Sequence, residues 1–315
     1  MPNPPCLIAI DWGTSNLRAS LLDGAGYAME SRSAPGGIMA VKDRLFSQAL
    51  LALCGDWVHQ MDCPLIASGM IGSRQGWKET PYLDCPASVA GAAQVLTQVD
   101  IEAADAALPR RQLQIVAGLR CLEASGQADV MRGEDTQIWG AGVAPGSLCV
   151  LPGTPSKWAW VGEGGAITRF RTYMTGELYG LLTQHSILGR LMAFGQSRMD
   201  DFRSGVTLGL TSHAHATHAI FSARTAGLMH KVAPEGLPDY LSGLLIGIEL
   251  GSAMASAAGE VAATAVTLIG DDTLCSRYEV AFELAGVATR RAPDDATISG
   301  QRMIALASGL MGGLA

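Results

Sequence analysis

One phrase, used twice, constrains this chain more than any other feature. An apolar run over residues 6–10 is followed by the turn Asp11-Trp12-Gly13-Thr14-Ser15-Asn16, then by a second run over 17–22. Asp23-Gly24-Ala25-Gly26 turns the chain again toward a third stretch over 27–31. The second half repeats this. An apolar run over 148–151 leads into Pro152-Gly153-Thr154-Pro155-Ser156, a run over 157–161, the turn Gly162-Glu163-Gly164-Gly165, and a run over 166–170. Each phrase reads as a three-stranded meander whose first turn carries glycine and hydroxyl residues. A plan used twice predicts two lobes, each offering a Gly/Thr/Ser turn to a shared cleft. The breaker-rich Ala144-Pro145-Gly146-Ser147 marks the boundary, so the lobes are expected over 1–145 and 146–315.

Between the phrases, the apolar spacing predicts helices over 45–60 and 134–141 and strands over 65–68 and 113–117. Beyond the second phrase it predicts helices over 176–194, 239–258, 273–284 and 298–310, with a strand over 265–269; Gly286 closes the third of these helices. Helices and strands alternate throughout, so the class is α/β. Gly243, Gly247 and Gly251 form a stripe that lets a neighbouring backbone come close. The loop over 69–86 concentrates Arg74, Trp77, Lys78 and Tyr82.

Composition removes several classes of function. With 48% hydrophobic and 16% charged residues, the chain is neither disordered nor a coiled coil. A net charge of −7 and the lack of a Lys/Arg run argue against a nucleic-acid grip. The longest charge-free stretch, 136–156, is broken by glycines and prolines, so no membrane span is expected. The N-terminus lacks the basic start of a secretory signal, and seven cysteines without a C-x-x-C pair read as reduced thiols. The expectation is a cytoplasmic protein without structural zinc. His213, His215 and His218 do not share a helical face and are read as a solvated segment rather than a metal site.

No G-x-x-x-x-G-K-[ST] occurs, Gly140-Ala141-Gly142 does not open a helix after a strand, and no G-x-S-x-G elbow is present. The Asp11 turn remains. Gly13 lets the backbone approach an anion, Thr14 and Ser15 donate hydrogen bonds, and Asp11 offers a carboxylate for Mg²⁺. Paired with Gly153-Thr154-Pro155-Ser156-Lys157, it suggests two turns that clamp a triphosphate.

These residues resemble the 2-dehydro-3-deoxygalactonokinase family of the actin–hexokinase–sugar kinase superfamily, over essentially the whole chain. The resemblance rests on the first turn with its flanking strands, on Gly69-Met70-Ile71-Gly72-Ser73 with Gly76-Trp77, and on Met131-Arg132-Gly133-Glu134-Asp135-Thr136-Gln137. Leu151-Pro152-Gly153-Thr154, Met174-Thr175-Gly176-Glu177-Leu178 and Leu241-Ser242-Gly243-Leu244-Leu245 complete it. It implies two ribonuclease-H-like lobes that close over ATP and a sugar acid. Asp11, Gly13, Thr14 and Ser15 would form the first phosphate turn. Gly153, Thr154 and Ser156 would form the second, with Lys157 assisting and Gly270 in the adenosine segment. Two departures stand out: Pro155 replaces the family's usual His, and Glu134-Asp135 replaces its usual Glu-Glu.

The implied reaction is MgATP-dependent phosphorylation of 2-dehydro-3-deoxy-D-galactonate, and it needs a base at the attacking hydroxyl. Asp135 is favoured over Glu134; adjacent on a helix, they point about 100° apart, so only one can face a cleft. A 2-keto acid also needs a cationic fork for its carboxylate, for which Arg74, Arg120 and Arg132 are candidates, together with Trp77 of the loop. The alternatives are a kinase of a related sugar acid such as 2-dehydro-3-deoxygluconate, and a non-catalytic sugar sensor or actin-like ATPase module. A homodimer stays open.

Overall fold

The computed structural model describes residues 5–102, 110–123, 125–256 and 265–311. The first meander is β1 (Pro5–Trp12), β2 (Leu17–Asp23) and β3 (Ala28–Ala34), antiparallel with Asp11 opposite Arg18 and Leu17 opposite Ala34. Helix α1 (Phe46–Gln60) then returns the chain to β4 (Leu65–Ser68), which pairs parallel to β1. Leu7, Ile8, Ala9, Ile10 and Trp12 are all buried, the unbroken apolar run of a strand covered on both faces.

Next come β5 (Tyr82–Asp84), α2 (Val89–Gln94), β6 (Thr97–Ile101) and β7 (Arg111–Ile115). They are followed by β8 (Gly118–Leu122), β9 (Ala128–Met131) and α3 (Glu134–Gly140). The main sheet runs β3-β2-β1-β4-β7-β6, and β5-β8-β9 forms a small second sheet. The loop expected over 69–86 therefore contains a strand, β5, held by parallel pairing to β8.

The second phrase gives β10 (Leu148–Leu151), β11 (Ser156–Val161) and β12 (Ile167–Tyr173). A helical run follows: α4 (Thr175–His185), α5 (Met199–Ser212), α6 (Ala216–Ile220), α7 (Ser222–Leu228) and α8 (Leu237–Ser256). β13 (Val266–Leu268), α9 (Asp272–Leu284), β14 (Thr289–Arg291) and α10 (Ala296–Ala307) complete the chain. The sheet order β12-β11-β10-β13-β14, with β10 parallel to β13, repeats the meander-then-parallel plan of the first sheet. That is the ribonuclease-H-like order, met twice. Along α8 the glycine stripe acts as its spacing predicts: a Cβ at Gly243 or Gly247 would collide with the Phe202 or Val206 carbonyl of α5. Residues 257–258, expected to end this helix, lie outside the described residues, as do the first four residues of the chain.

The helix expected over 176–194 is shorter. The Ser186 hydroxyl donates to the Leu182 carbonyl at 2.5 Å and accepts from Leu188 N–H at 3.0 Å, so the chain turns off where α4 ends.

By contacts, the chain divides into two compact units. One comprises Met1–Pro145, Val161–Phe170 and Pro293–Ala315; the other comprises Gly146–Trp160 and Arg171–Ala292. Chain order alone puts residues 293–315 in the second lobe, whereas α10 groups with the first. Its Gly300 lies against α3 so closely that a Cβ would strike the Thr136 carbonyl. Its buried Gln301 donates to the Ile10 carbonyl at 2.6 Å and the Ser68 hydroxyl at 2.9 Å.

Candidate active site

In the first unit, three segments meet at the carboxyl ends of the parallel strands β1 and β4, where open α/β sheets place their ligands. Asp11 closes β1. Gly69, just past β4, has φ +99°, and a Cβ there would lie 2.8 Å from the Trp12 carbonyl oxygen and 3.6 Å from Asp11 Oδ1. Gly133, with φ +101°, fits against Gly69 and delivers Glu134 and Asp135 at the start of α3. The first turn is braced from behind, since Ile38 and Met39 donate their N–H groups to the Gly13 and Thr14 carbonyls. Thr14 and Ser15 stay exposed. About a quarter of the Asp11 side chain (26%) meets solvent, with Arg18 3.8 Å away. Burial raises the Asp11 carboxyl above its ordinary value, and Arg18 opposes that rise.

The two acids of α3 separate cleanly. Asp135 is 0% exposed. Its Oδ1 accepts Gly133 N–H at 3.0 Å, Thr136 N–H at 2.6 Å and the Thr136 hydroxyl at 3.2 Å. Its Oδ2 is buried and has no hydrogen-bond partner among the described residues. Burial, reinforced by the neighbouring charge of Glu134, pushes the carboxyl up to about 7, against the pull of those donors. Glu134 instead turns its Oε2 back to Arg132 N–H at 3.1 Å, favouring the helix start.

In the second unit, the turn between β10 and β11 opens on a cavity of ≈390 Å³, within the range of small-molecule sites. Gly153 and Thr154 form one side, Thr175 and Gly176 of α4 another, and Ser242 and Arg277 contribute polar groups to mainly apolar walls. Arg277 is fixed by Asp239 at 2.5 Å and donates to Ser242 at 3.3 Å. Thr154 is exposed, while the Ser156 hydroxyl is buried and donates to the Tyr173 carbonyl at 3.3 Å. Lys157 is also buried, with its Nζ 2.6 Å from Thr172 Oγ1. Gly270 has φ +140° and precedes Asp271, whose carboxylate caps α9 by accepting Thr273 and Leu274 N–H.

Residues 11–304 match the family described as 2-keto-3-deoxy-galactonokinase. A 2-dehydro-3-deoxygalactonokinase of Escherichia coli (strain K12) is 36% identical over 300 residues, spanning 95% of this chain and 97% of the relative. The chain belongs to the 2-keto-3-deoxy-galactonokinase family. A crystal structure from Sinorhizobium meliloti carrying the same activity name is 30% identical with a TM-score of 0.83, and covers 98% of this chain and 100% of that one. A ligand-bound xylulose kinase of Lactobacillus acidophilus, 11% identical with a TM-score of 0.51 over 98% of this chain and 90% of that one, shares the fold alone.

For a galactonokinase-family chain, the candidate carboxylate forks are spread apart. Arg132 is buried, with its guanidinium on the Thr80 hydroxyl and carbonyl and 4.0 Å from the centre of the Tyr82 ring. Arg120 makes a two-pronged pair with Asp84 at 2.7 and 3.0 Å, across β8 and β5. Arg74 is 87% exposed beside Glu79. Trp77 stacks on Phe46 at 6.0 Å and meets Trp12 edge-on, so it packs against the core beneath the first turn. Sequence reasoning gave no role to Tyr179, Ser242 or Arg277, all lining the cavity. The family-like phrase at 241–245 was the available signal for Ser242, and Tyr179 directly follows the one at 174–178; nothing local marked Arg277.

Proposed function

We propose that this chain transfers the γ-phosphoryl group of ATP to the terminal hydroxyl of 2-dehydro-3-deoxy-D-galactonate, giving the 6-phosphate and ADP. The hydroxyl oxygen forms the new P–O bond, the bond from the γ-phosphorus to the β–γ bridging oxygen breaks, and the hydroxyl proton passes to Asp135 Oδ2. The observation that carries this reading is that oxygen: buried, without a hydrogen-bond partner among the described residues, and on a carboxyl pushed up to about 7. A base poised near the working pH accepts a proton at little cost, and it is rate-enhancing by about 10²–10⁴. Gly133 and Thr136 N–H hold the other oxygen, so the free one keeps its aim.

Asp11, partly exposed beside the first turn, fits a hard divalent cation, since Mg²⁺ typically takes one or two carboxylates together with phosphate oxygens and waters. Such a cation supplies charge neutralisation along the phosphates when bound. Thr14 and Ser15 donate to phosphate oxygens from the first turn, and Gly153 and Thr154 do so from the second. The ≈390 Å³ cavity beside the second turn takes the nucleoside, with Leu274, Arg277 and Tyr278 of α9 along one side; Gly270 precedes the Asp271 cap of that helix. The need for ATP and the reduced thiols agree with a cytoplasmic enzyme; all seven cysteines are free.

The test is ADP release from purified protein with a panel of sugar acids at fixed ATP and Mg²⁺. The expected result is turnover with 2-dehydro-3-deoxy-D-galactonate that exceeds turnover with 2-dehydro-3-deoxygluconate and with aldoses. Equal rates across the panel, or ADP release independent of any sugar acid, overturns the assignment.

A further inference from the structure

Glu249 lies inside α8 and is 2% exposed. Its partners are neutral donors from three separate elements. Trp158 of β11 donates its indole N–H to Oε1 at 2.7 Å, Tyr278 of α9 donates its hydroxyl to Oε2 at 2.7 Å, and Thr175 at the start of α4 donates to the same Oε2. Burying an ionised carboxylate costs several kcal/mol after relaxation, so a helix needing only packing would carry a leucine or methionine here. Burial raises the Glu249 carboxyl above its ordinary value, and the donors pull it back.

Two of those donors do more than fill space. Thr175 and Tyr278 line the cavity assigned above to the nucleoside. The third, Trp158, lies two residues beyond Ser156, where the second turn enters β11. We propose that Glu249 is a positioning residue for the nucleotide: by holding α4, α9 and β11 at once, one buried carboxylate sets the width of the cavity and anchors the strand that carries the second turn. The proposal rests on the cavity being the nucleotide's.

The work is done by hydrogen-bond geometry, which distinguishes two replacements. A glutamine can reproduce the arrangement. Its oxygen still accepts from Trp158, and the Thr175 and Tyr278 hydroxyls reverse to accept from its NH₂ group. A methionine leaves three donors buried and unpaired. Removing one hydroxyl at a time, by Thr175→Val or Tyr278→Phe, loosens a single wall while the carboxylate keeps its other donors.

The experiment is steady-state kinetics on the full chain, with ATP and sugar acid varied separately. Glu249→Met is expected to raise the ATP KM about tenfold or more, with the sugar-acid KM within about twofold, as for lost ground-state binding of one substrate. Glu249→Gln should stay within about threefold of wild type. Thr175→Val and Tyr278→Phe should each raise the ATP KM about three- to tenfold, and their double variant less than the product, because they share one oxygen. If Glu249→Met fails to fold, the two single-hydroxyl variants carry the test. The proposal is overturned if both leave the ATP KM unchanged, if the two substrates' KM values rise together, or if Glu249→Gln is as impaired as Glu249→Met. Ser242→Trp checks the cavity itself, filling it without removing a Glu249 partner. An unmoved ATP KM there sinks the nucleotide assignment and this proposal with it. A raised one, with Thr175→Val and Tyr278→Phe silent, sinks the Glu249 proposal alone.

Discussion

Asp135 and Glu249 are both carboxylates almost completely removed from water, one in each compact unit, and burial raises both. They differ in how their oxygens are used. At Asp135 three donors converge on Oδ1 and leave Oδ2 without a partner among the described residues. At Glu249 both oxygens take a donor, and Oε2 takes two. A buried oxygen left empty is a cost to the fold, one that a catalytic role would explain. A buried carboxylate that is fully engaged braces what surrounds it. Burial and raised basicity alone do not separate a base from a strut; under the proposed function, the asymmetry of the partners is what would.

The largest effect that could break this comparison is at Asp135. Asp135→Asn keeps an oxygen for the Gly133 and Thr136 donors but cannot take the proton. Its kcat should therefore fall about 10²–10⁴-fold while nucleotide affinity, measured by titration with a non-hydrolysable analogue, stays near wild type. A variant that turns over at wild-type rate would make the empty oxygen of Asp135 no more catalytic than the filled ones of Glu249.

The pH dependence comes next. With the carboxyl pushed up to about 7, kcat should fall about tenfold per unit as pH drops below that value, and Asp135→Asn should lose this limb of the profile. Stability runs the other way. The folded-state value lies above the unfolded 3.8, so the folded chain binds the extra proton between those values. The group's contribution is complete below the unfolded value and is lost as pH rises through about 7. Asp135→Asn should accordingly raise Tm more at pH 8 than at pH 5, by a few degrees on a scanning calorimeter; an equal shift at both values would contradict the assignment of the buried charge.

The smallest effect is at Glu134, whose carboxylate already serves Arg132 N–H. Glu134→Gln should reduce kcat by about tenfold or less, the scale of a helix-start contact and a neighbouring charge rather than of a lost base. A dead Glu134→Gln beside an active Asp135→Asn would exchange the two roles and leave the kinase reading standing.

The repeated meander was legible because each copy pairs apolar runs with glycine turns, signals that need no distant partner; that the two lobes are ribonuclease-H-like followed only from the family resemblance. β5, β6, β8 and β9 were not read, since each is only three to five residues long and mixes polar with apolar residues instead of forming an apolar run. The acidic pair at 134–135 was legible through its phrase, but the choice between them depends on which backbone N–H groups each carboxylate meets. The arginines could not be sorted from sequence, because their partners Asp84 and Thr80 lie 36 and 52 residues away. Glu249 gave no local signal at all. It is one of two acids in a mainly apolar helix, the other being Asp239 in the first turn, and its donors are 29, 74 and 91 residues distant.

The bonds from Gln301 to Ile10 and Ser68 also set an order of events during synthesis. The two contacts span 291 and 233 residues of chain. At about 5–20 residues per second, the ribosome needs about 10–50 s to travel from Ser68 to Gln301. Through that interval β1 and β4 stand without the helix that ties them together, although the strands themselves emerged early. The continuous stretch Arg171–Ala292 of the other unit leaves the ribosome before α10 does. The unit begun first is thus completed last, and a nascent chain halted near residue 290 would carry Asp11 without the amide that ties the end of its strand β1 to β4.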